Sequence, residues 1–495
     1  MIEDNDKVVI KVVKTPLASE RKEKKQKRIK TIIIIALCVF LLLGGFVVGL
    51  FSNRIIHPSY DMEANTTLGE IEFILDKYWL YSYDYEDFID EIENKAFYGM
   101  TYFNEDPYTT YMSNDESNNF VTNINMNYVG VGLQYESING INTIKKIFKD
   151  SPAEIAGLEV GDVILAVDDT LIESLDTDEI KTLVVGEAGT QVTFLVRRGN
   201  EEKRITCVRE KVDSSVYAYA QDDYVVLELL SFGIETAQNT MKYLDGYTDY
   251  DKILIDLRDN TGGYQTSVEE IAGLFIGNEQ VYMRQVDKDG NEYVDYTDCA
   301  KTYDNFKKIV ILTNKNTASA AEVLTICLKE QFPDATIVGE TTFGKGVVQS
   351  TFTLLSGDSL KVTTTKWLSP NGVWINGEGI KPDVEVRLHD VMYENYYILP
   401  ENQDFCYDTV SNYVRLAQLS LDYLGYDINR FDGYFDSEFE EELMKYQADS
   451  DLEVTGILNS GTYNALYFDM LRASTESFND VQKVKAIEIL HNWIK

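Results

Sequence analysis

Histidine is almost missing from this chain. Its 495 residues include only His57, His389 and His491. A Ser-His-Asp arrangement is therefore poorly supplied. A serine nucleophile would need another base, for which a desolvated lysine is the natural substitute. Cysteine is scarce too. Cys38 lies in an apolar run, and Cys207, Cys299, Cys327 and Cys406 are scattered over the rest. Those four do not form a disulfide framework, and no Cys-x-x-Cys pair suggests a metal. Inert free thiols are the favoured reading, with one bridge allowed by the count. Positive charge is short as well: 45 Lys and Arg stand against 82 Asp and Glu, a net of -37. Residues 1–30 carry ten basic and five acidic side chains and residues 31–51 none, so the remainder holds a net of -42. An acidic body of that size argues against nucleic acid and against docking on anionic lipid; its plain meaning is solubility.

The uncharged stretch Thr31–Phe51 is 21 residues long, enough for a membrane-spanning helix of about 20. A cleaved signal peptide would have an apolar core of roughly 7–15 residues and a short leader. Here thirty residues precede the run and no Ala-x-Ala site follows it. The cluster Arg21–Lys30 fixes the orientation, with the basic flank in the cytoplasm and everything after Ser52 outside.

A chain of 495 residues with 44% apolar and 26% charged residues is globular and holds three or four domains. Residues 1–30 read as a cytoplasmic basic tail, 31–51 as the anchor and 52–125 as helical, with helices near Leu68–Leu80 and Asp84–Met100 and a turn at Asp106-Pro107-Tyr108-Thr109. Residues 126–212 change to short strands, Tyr128–Tyr135, Thr143–Phe148, Val163–Val167, Gln191–Arg197 and Glu202–Val208, around helices Pro152–Ala156 and Thr177–Val184. Residues 213–395 contain buried strands Ile253–Leu257, Ile309–Thr313 and Ala335–Gly339. Helices follow the first two, a pattern that predicts a mainly parallel sheet with chemistry at the strand C-termini. Residues 400–475 form a last compact helical unit, and 476–495 a terminal helix.

Ser319 follows a buried strand and opens a helix rich in small residues, Thr317-Ala-Ser-Ala-Ala-Glu322. Alone it would be a helix cap, with Glu322 as capping-box partner. Lys345, between Gly344 and Gly346, changes that: burial would lower its pKa and let it act as a neutral base. Gln349, four residues on, can accept a lysine N–H and aim the amine. The run Asp256-Leu-Arg-Asp-Asn-Thr-Gly262-Gly263 offers unobstructed backbone N–H groups, which with the N–H of Ala320 could stabilise an oxyanion. Gly339-Glu-Thr-Thr-Phe-Gly344-Lys345 imitates a phosphate loop, but Gly346 stands where Ser or Thr is needed and a β-like run follows. The motif therefore gives a nucleotide site no support.

Ser151-Pro-Ala-Glu-Ile-Ala-Gly157-Leu158-Glu-Val-Gly161-Asp162 resembles the corresponding stretch of a PDZ domain. Gly130-Val131-Gly132-Leu133 stands where that family holds a terminal carboxylate on backbone N–H groups while the peptide adds as a strand. Together with Asp-Pro-Tyr-Thr, Asp-Leu-Arg-Asp-Asn-Thr-Gly-Gly, Thr-Ala-Ser-Ala-Ala-Glu and Phe-Gly-Lys-Gly-Val-Val-Gln, in that order over residues 70–390, the chain resembles the C-terminal processing peptidases, or tail-specific proteases. Two departures stand out. The family's usual Ser-Ala-Ser-Ala-Ser-Glu and Asn-Pro-Gly-Gly are Thr317-Ala-Ser-Ala-Ala-Glu and Asn260-Thr-Gly-Gly here. The last unit, with Phe431-Asp-Gly-Tyr-Phe-Asp436, Tyr446-Gln447 and Thr455-Gly456, resembles a small three-helix peptidoglycan-binding domain.

These resemblances imply a multidomain α/β and α+β protein. A PDZ domain is inserted before a ClpP/crotonase-like α/β protease core, and a small all-α domain follows. They imply a serine endopeptidase with Ser319 as nucleophile, Lys345 as base and Gln349 as orienter, and with oxyanion donors among Gly262, Gly263 and Ala320. No cofactor or metal is expected. The expected partners are proteins with apolar C-terminal tails, peptidoglycan through 400–475, the membrane through 31–51 and a second copy in a homodimer, with no nucleic acid. The expected location is a bacterial membrane, single-pass, with the catalytic part extracytoplasmic. A catalytically silent PDZ scaffold joining protein tails to peptidoglycan is the alternative. A penicillin-recognising D,D-peptidase has little support, because no Ser-x-x-Lys or Lys-Thr-Gly follows the anchor.

Overall fold

The computed structural model describes residues 67–79, 87–138, 140–199, 201–213, 215–397, 399–476 and 478–493. The basic tail and the apolar run 31–51 lie outside the described residues. Among those described, no helix is long and apolar enough to cross a membrane. The chain divides into two units after Ala96. The first holds α1, Thr67–Tyr78, and the start of α2, Phe88–Thr101, with Trp79 stacked on Phe88 at 5.5 Å.

The second unit continues with β1, Thr110–Met112, and α3, Asn114–Asn125. Helix α3 starts at a capping box. Ser113 Oγ accepts the Glu116 N–H at 3.3 Å, and the Glu116 carboxylate accepts the Ser113 N–H at 2.8 Å. This satisfies donors that a helix start leaves open.

Next come β2 (Asn127–Gly130), β3 (Leu133–Ile138), β4 (Ile141–Ile147), α4 (Pro152–Ala156), β5 (Val163–Val167), β6 (Thr170–Leu171), α5 (Thr177–Val184), β7 (Gln191–Arg198), β8 (Glu201–Val208) and β9 (Glu210–Asp213). One sheet runs β3–β4–β5–β7–β8 with β6 on β5, whereas β2 pairs only with β9. The single strand expected over Tyr128–Tyr135 is therefore two strands in two sheets. The break falls at Gly132, where φ is +79° and an added Cβ would lie 2.4 Å from Ser151 Cβ, a conformation and a spacing open to glycine alone. Alternate residues Val192, Phe194 and Val196 join Ile144, Ile164 and Ile180 in the core.

The α/β region comprises β10 (Val216–Gln221), β11 (Tyr224–Leu229), α6 (Thr236–Leu244), β12 (Lys252–Asp256), α7 (Gln265–Ile276), β13 (Val281–Asp287), β14 (Glu292–Tyr296), β15 (Lys308–Thr313), α8 (Ala320–Gln331), β16 (Ala335–Gly339), β17 (Val347–Thr353), β18 (Ser359–Leu368) and β19 (Val384–Glu385). Its main sheet runs β10–β11–β12–β15–β16–β19, parallel from β11 onward. Ile253, Ile255, Ile309 and Ile311 pack with Leu244, Ile271 and Leu324 of the helices. The intervening Leu254, Val310 and Leu312 join a separate cluster on the other face. Side chains alternate along a strand, so a sheet covered on both faces needs the unbroken apolar runs seen in the sequence. A second, antiparallel sheet runs β1–β18–β13–β14, with β17 also on β18.

The C-terminal helices are α9 (Asn412–Tyr423), α10 (Ser437–Asp449), α11 (Ser460–Ser474) and α12 (Val481–His491). Buried Gln447 accepts the Thr455 and Gly456 N–H groups at 3.0 and 2.9 Å and donates to the Ile457 carbonyl at 3.0 Å. The Tyr-Gln and Thr-Gly pairs of the sequence are thus one hydrogen-bonded unit. Cys207, Cys299, Cys327 and Cys406 are free thiols.

Candidate active site

The parallel pairing of β12, β15 and β16 brings the loops after their C-terminal ends together. The loop after β15 leads to Ser319, whose φ of 57° and ψ of -121° lie where non-glycine residues store strain of about 1–3 kcal/mol. A plain helix cap needs no such backbone; its caps are extended. Such an outlier points toward a functional turn.

Beneath this turn is Glu322, fully buried. Its Oε2 accepts the N–H of Ser319 at 2.9 Å and of Lys345 at 2.8 Å. Its Oε1 accepts the Gly344 N–H at 2.7 Å and the Thr342 hydroxyl at 2.5 Å. Burial pushes its carboxyl pKa up, and the four donors hold it down. The sequence marks Glu322 only as a capping partner; that it also binds the lysine loop depends on the pairing of β15 with β16.

Lys345 is half-buried beside the Tyr108 ring, 4.9 Å from its centroid. Among the described residues its Nζ has neither an ion pair nor a hydrogen bond. Burial, reinforced by the Lys361 charge and opposed by Glu322, pushes its pKa down to about 8. Gln349 sits at a bulge, where the pairing of β17 with β18 shifts between Val348 and Gln349. Bulges re-aim side chains. Its Nε2 faces Thr363 Oγ1 at 3.4 Å, and Thr363 donates to Asp106 at 2.9 Å; the amide makes no hydrogen bond to Lys345. Asp106 and Tyr108 come from the motif read above as a turn. Asp106 does build that turn, accepting the Tyr108 N–H at 3.1 Å, but it also reaches the site.

The loop after β12 lies against Ser319. Gly262 has φ +104°, and a Cβ there would stand 2.8 Å from Ser319 Cβ. Its N–H donates to Asn260 Oδ1 at 2.8 Å and is engaged. The N–H groups of Gly263 and Ala320 have no acceptor among the described residues. Asn260, fully buried, also donates to the Leu229 carbonyl at 2.8 Å and accepts the Ala318 N–H on its own carbonyl at 2.9 Å, stitching the two loops together.

A cavity of about 1090 Å³ is lined by Ser319, Lys345, Gln349, Gly262 and Gly263 and also by Leu133, Gln134 and Tyr135 of β3 and Lys181 and Val184 of α5. β3 is an edge strand. In the loop before it, the Val131 carbonyl accepts the Ala153 N–H at 2.8 Å and the Gly132 carbonyl the Phe148 N–H at 3.0 Å. The N–H groups of Val131 and Gly132 have no acceptor among the described residues. Gly130 belongs to β2 and is paired with β9. No cluster of metal-ligating side chains occurs among the described residues.

An α/β core carrying a serine turn and a desolvated lysine, joined to a strand-lined groove and a three-helix unit, defines the class as a multidomain serine peptidase. Residues 223–386 match the family model for peptidase family S41, 137–198 that for a PDZ domain and 410–466 that for a putative peptidoglycan-binding domain. A "Probable CtpA-like serine protease" of Staphylococcus haemolyticus (strain JCSC1435) is 31% identical over 75% of this chain and 75% of its own length. One of Staphylococcus aureus (strain bovine RF122 / ET3-1) is 31% identical over 81% of this chain and 80% of its own. The solved photosystem II D1 C-terminal processing protease has 24% identity and a TM-score of 0.40 over 68% of this chain and 92% of that one, too slight a likeness to carry weight. The chain belongs to peptidase family S41, the C-terminal processing serine proteases.

Proposed function

We propose that this serine peptidase is membrane-anchored and extracytoplasmic, and that it cleaves proteins whose C-terminal tail is held by the PDZ domain. Ser319 Oγ attacks the scissile carbonyl, and Lys345 Nζ, in its neutral form, takes the proton. The resulting ammonium protonates the departing amine, and water then releases the acyl group by the same route. With a pKa of about 8, roughly a tenth of Lys345 is neutral at pH 7, whereas an ordinary lysine near 10.4 would be well under a thousandth neutral. Gln349, its Nε2 engaged by Thr363, offers Oε1 to orient the amine. The N–H groups of Gly263 and Ala320 receive the oxyanion, and Gly262 shapes the turn.

The desolvated Lys345 amine lining the same cavity as the strained Ser319 turn carries this reading. Tail recognition draws support from the Val131 and Gly132 N–H groups, which have no acceptor among the described residues, beside edge strand β3, where a peptide can add as a strand. Anchoring rests on the uncharged run 31–51, and wall association on the likeness of residues 410–466 to a peptidoglycan-binding domain.

Turnover of an unstructured protein with an apolar C-terminus tests the chemistry. Ser319→Ala and Lys345→Ala should each abolish it, and near-normal activity in either would remove the dyad. Co-sedimentation of full-length Ser319→Ala with purified peptidoglycan tests wall association, and a protein that stays wholly in the supernatant speaks against it.

A further inference from the structure

Helix α12 lies beyond both the S41 match, which ends at 386, and the peptidoglycan-binding match, which ends at 466. Even so, the chain returns here to the main sheet of the protease. Ala486 and Leu490 pack on Tyr224, Leu254, Val310 and Leu312, the sheet face opposite the cluster that contains α6, α7 and α8.

The start of this helix makes the more specific contact. Asp480, its N-cap, accepts the Lys483 N–H at 3.0 Å. The same carboxylate receives Arg258 through two hydrogen bonds, Nη1 to Oδ1 at 2.8 Å and Nη2 to Oδ2 at 2.7 Å. Arg258 also reaches Asp256, with Nε to Oδ1 at 2.9 Å and Nη2 to Oδ2 at 2.6 Å. Gln482 Oε1 accepts Nη1 at 3.2 Å, and Gln482 Nε2 donates to the Val386 carbonyl at 2.8 Å. The guanidinium is thus held in its plane by two carboxylates, the geometry in which arginine fixes position as well as charge. Arg258 opens the loop that runs to Gly262 and Gly263. Farther along, that loop is tied to the serine turn by Asp259, whose carboxylate accepts from Asn314 and Asn316 at 2.9 and 2.8 Å.

We propose that α12 is a positioning element of the catalytic centre. Through Arg258, Asp480 holds the Arg258–Gly263 loop in the register that sets Gly262 against Ser319 and keeps the Gly263 N–H available to the oxyanion. The three-helix domain is then an insertion between two parts of the protease and not a module hung on its end. This rests on the reading of Ser319 as nucleophile and Gly263 as oxyanion donor. Removing one carboxylate leaves a largely buried guanidinium half-paired and free to swing. A donor displaced by about 1 Å can cost on the order of a hundredfold in rate.

The test uses full-length Asp480→Asn, since Asp480 does not line the cavity whereas Arg258 does. Active sites are counted with a serine-directed covalent probe, kcat is expressed per labelled site, and inhibition by a peptide boronic acid reports the tetrahedral state. Expected are a fall in kcat per site of at least about tenfold, a matching rise in the inhibition constant and a KM within about twofold, as for lost transition-state stabilisation. Asp480→Glu, which keeps the charge, should retain kcat within about threefold of the parent. Unchanged kcat per site and unchanged inhibition would overturn the proposal, even if the melting temperature or the labelled fraction dropped. Should Asp480→Asn not fold, Gln482→Ala is read in the same way: a parallel loss in kcat and boronate binding supports the proposal and no change overturns it. An unlabelled parent enzyme, or an active Ser319→Ala, would instead overturn the underlying assignment of the nucleophile and this proposal with it.

Discussion

Ser319 and Lys345 donate their backbone N–H groups to one oxygen atom, Glu322 Oε2, at 2.9 and 2.8 Å. One buried carboxylate therefore sets the separation of the two main-chain segments that carry the proposed nucleophile and base. In Glu322→Gln at least one of these donors would face an amide N–H₂ or lose the charge that strengthens its bond. The expected result is a loss of about 2–4 kcal/mol in denaturant unfolding, with kcat per folded molecule down at least about tenfold and KM little changed.

In the proposed mechanism Lys345 takes the Ser319 proton only when neutral, so activity should rise with pH through about 8, the value to which burial lowers the amine, and should fall in acid. Rate against pH for cleavage measures this. Replacing His57, His389 and His491 together should leave the profile in place, and a dead triple variant would point to a histidine base.

The same shift has a consequence for stability. Between about pH 8 and the ordinary lysine value near 10.4 the unfolded chain binds more protons at Lys345 than the folded one, so this residue makes stability rise with pH across that window. At neutral pH its burial is unfavourable. Lys345→Met should therefore melt at the parent temperature or a few degrees above it while cleaving nothing. A clear drop in melting temperature would mean that the amine has a stabilising partner.

Gly262→Ala would place a Cβ 2.8 Å from Ser319 Cβ on a backbone that L-residues rarely adopt. Covalent labelling of Ser319 by a serine-directed probe should slow by about a hundredfold or more. Labelling at the parent rate would show that the loop can yield without moving the serine.

Gly132→Ala meets Ser151 Cβ at 2.4 Å and should disturb the Val131–Gly132 amides proposed to hold a tail carboxylate. Fluorescence anisotropy with an apolar peptide should show binding at least about tenfold weaker to this variant. Amidation of the peptide C-terminus should weaken binding to the parent by a similar factor. Equal binding of acid and amide would remove the carboxylate loop.

Local chemistry was readable wherever local rules dominate. Pro152–Ala156 and Thr177–Val184 form the helices that their caps Ser151 and Asp176 predict, and Ala335–Gly339 is a strand as its apolar run requires. The strand expected over Tyr128–Tyr135 splits because Gly132 turns the backbone, and alternation alone carries no sign of that. Glu322 could be read as a cap but not as a bridge to Lys345, because its second partner lies more than twenty residues away and depends on strand pairing. Gly262, Gly263 and Ala320 are the oxyanion donors that the motifs suggest; the buried Asn260 side chain engages the Gly262 N–H, a contact that the Gly-Gly pair alone does not reveal.

By itself the sequence determined the class of chemistry. With three histidines in 495 residues, a serine followed at short range by Gly-Lys-Gly and a glutamine makes lysine the natural candidate for the base, and the motif order places the chain in its family. Only the tertiary structure decided which groups meet. The Lys345 amine is held below the ordinary lysine range because packing removes water from it. Asp106 reaches Gln349 through Thr363 because β1 and β17 both pair with β18. Helix α12 joins the protease because a sheet with two apolar faces must be covered on both. Residue types set what each group can do, and burial and strand order, which arise only in the folded chain, set which of them act together.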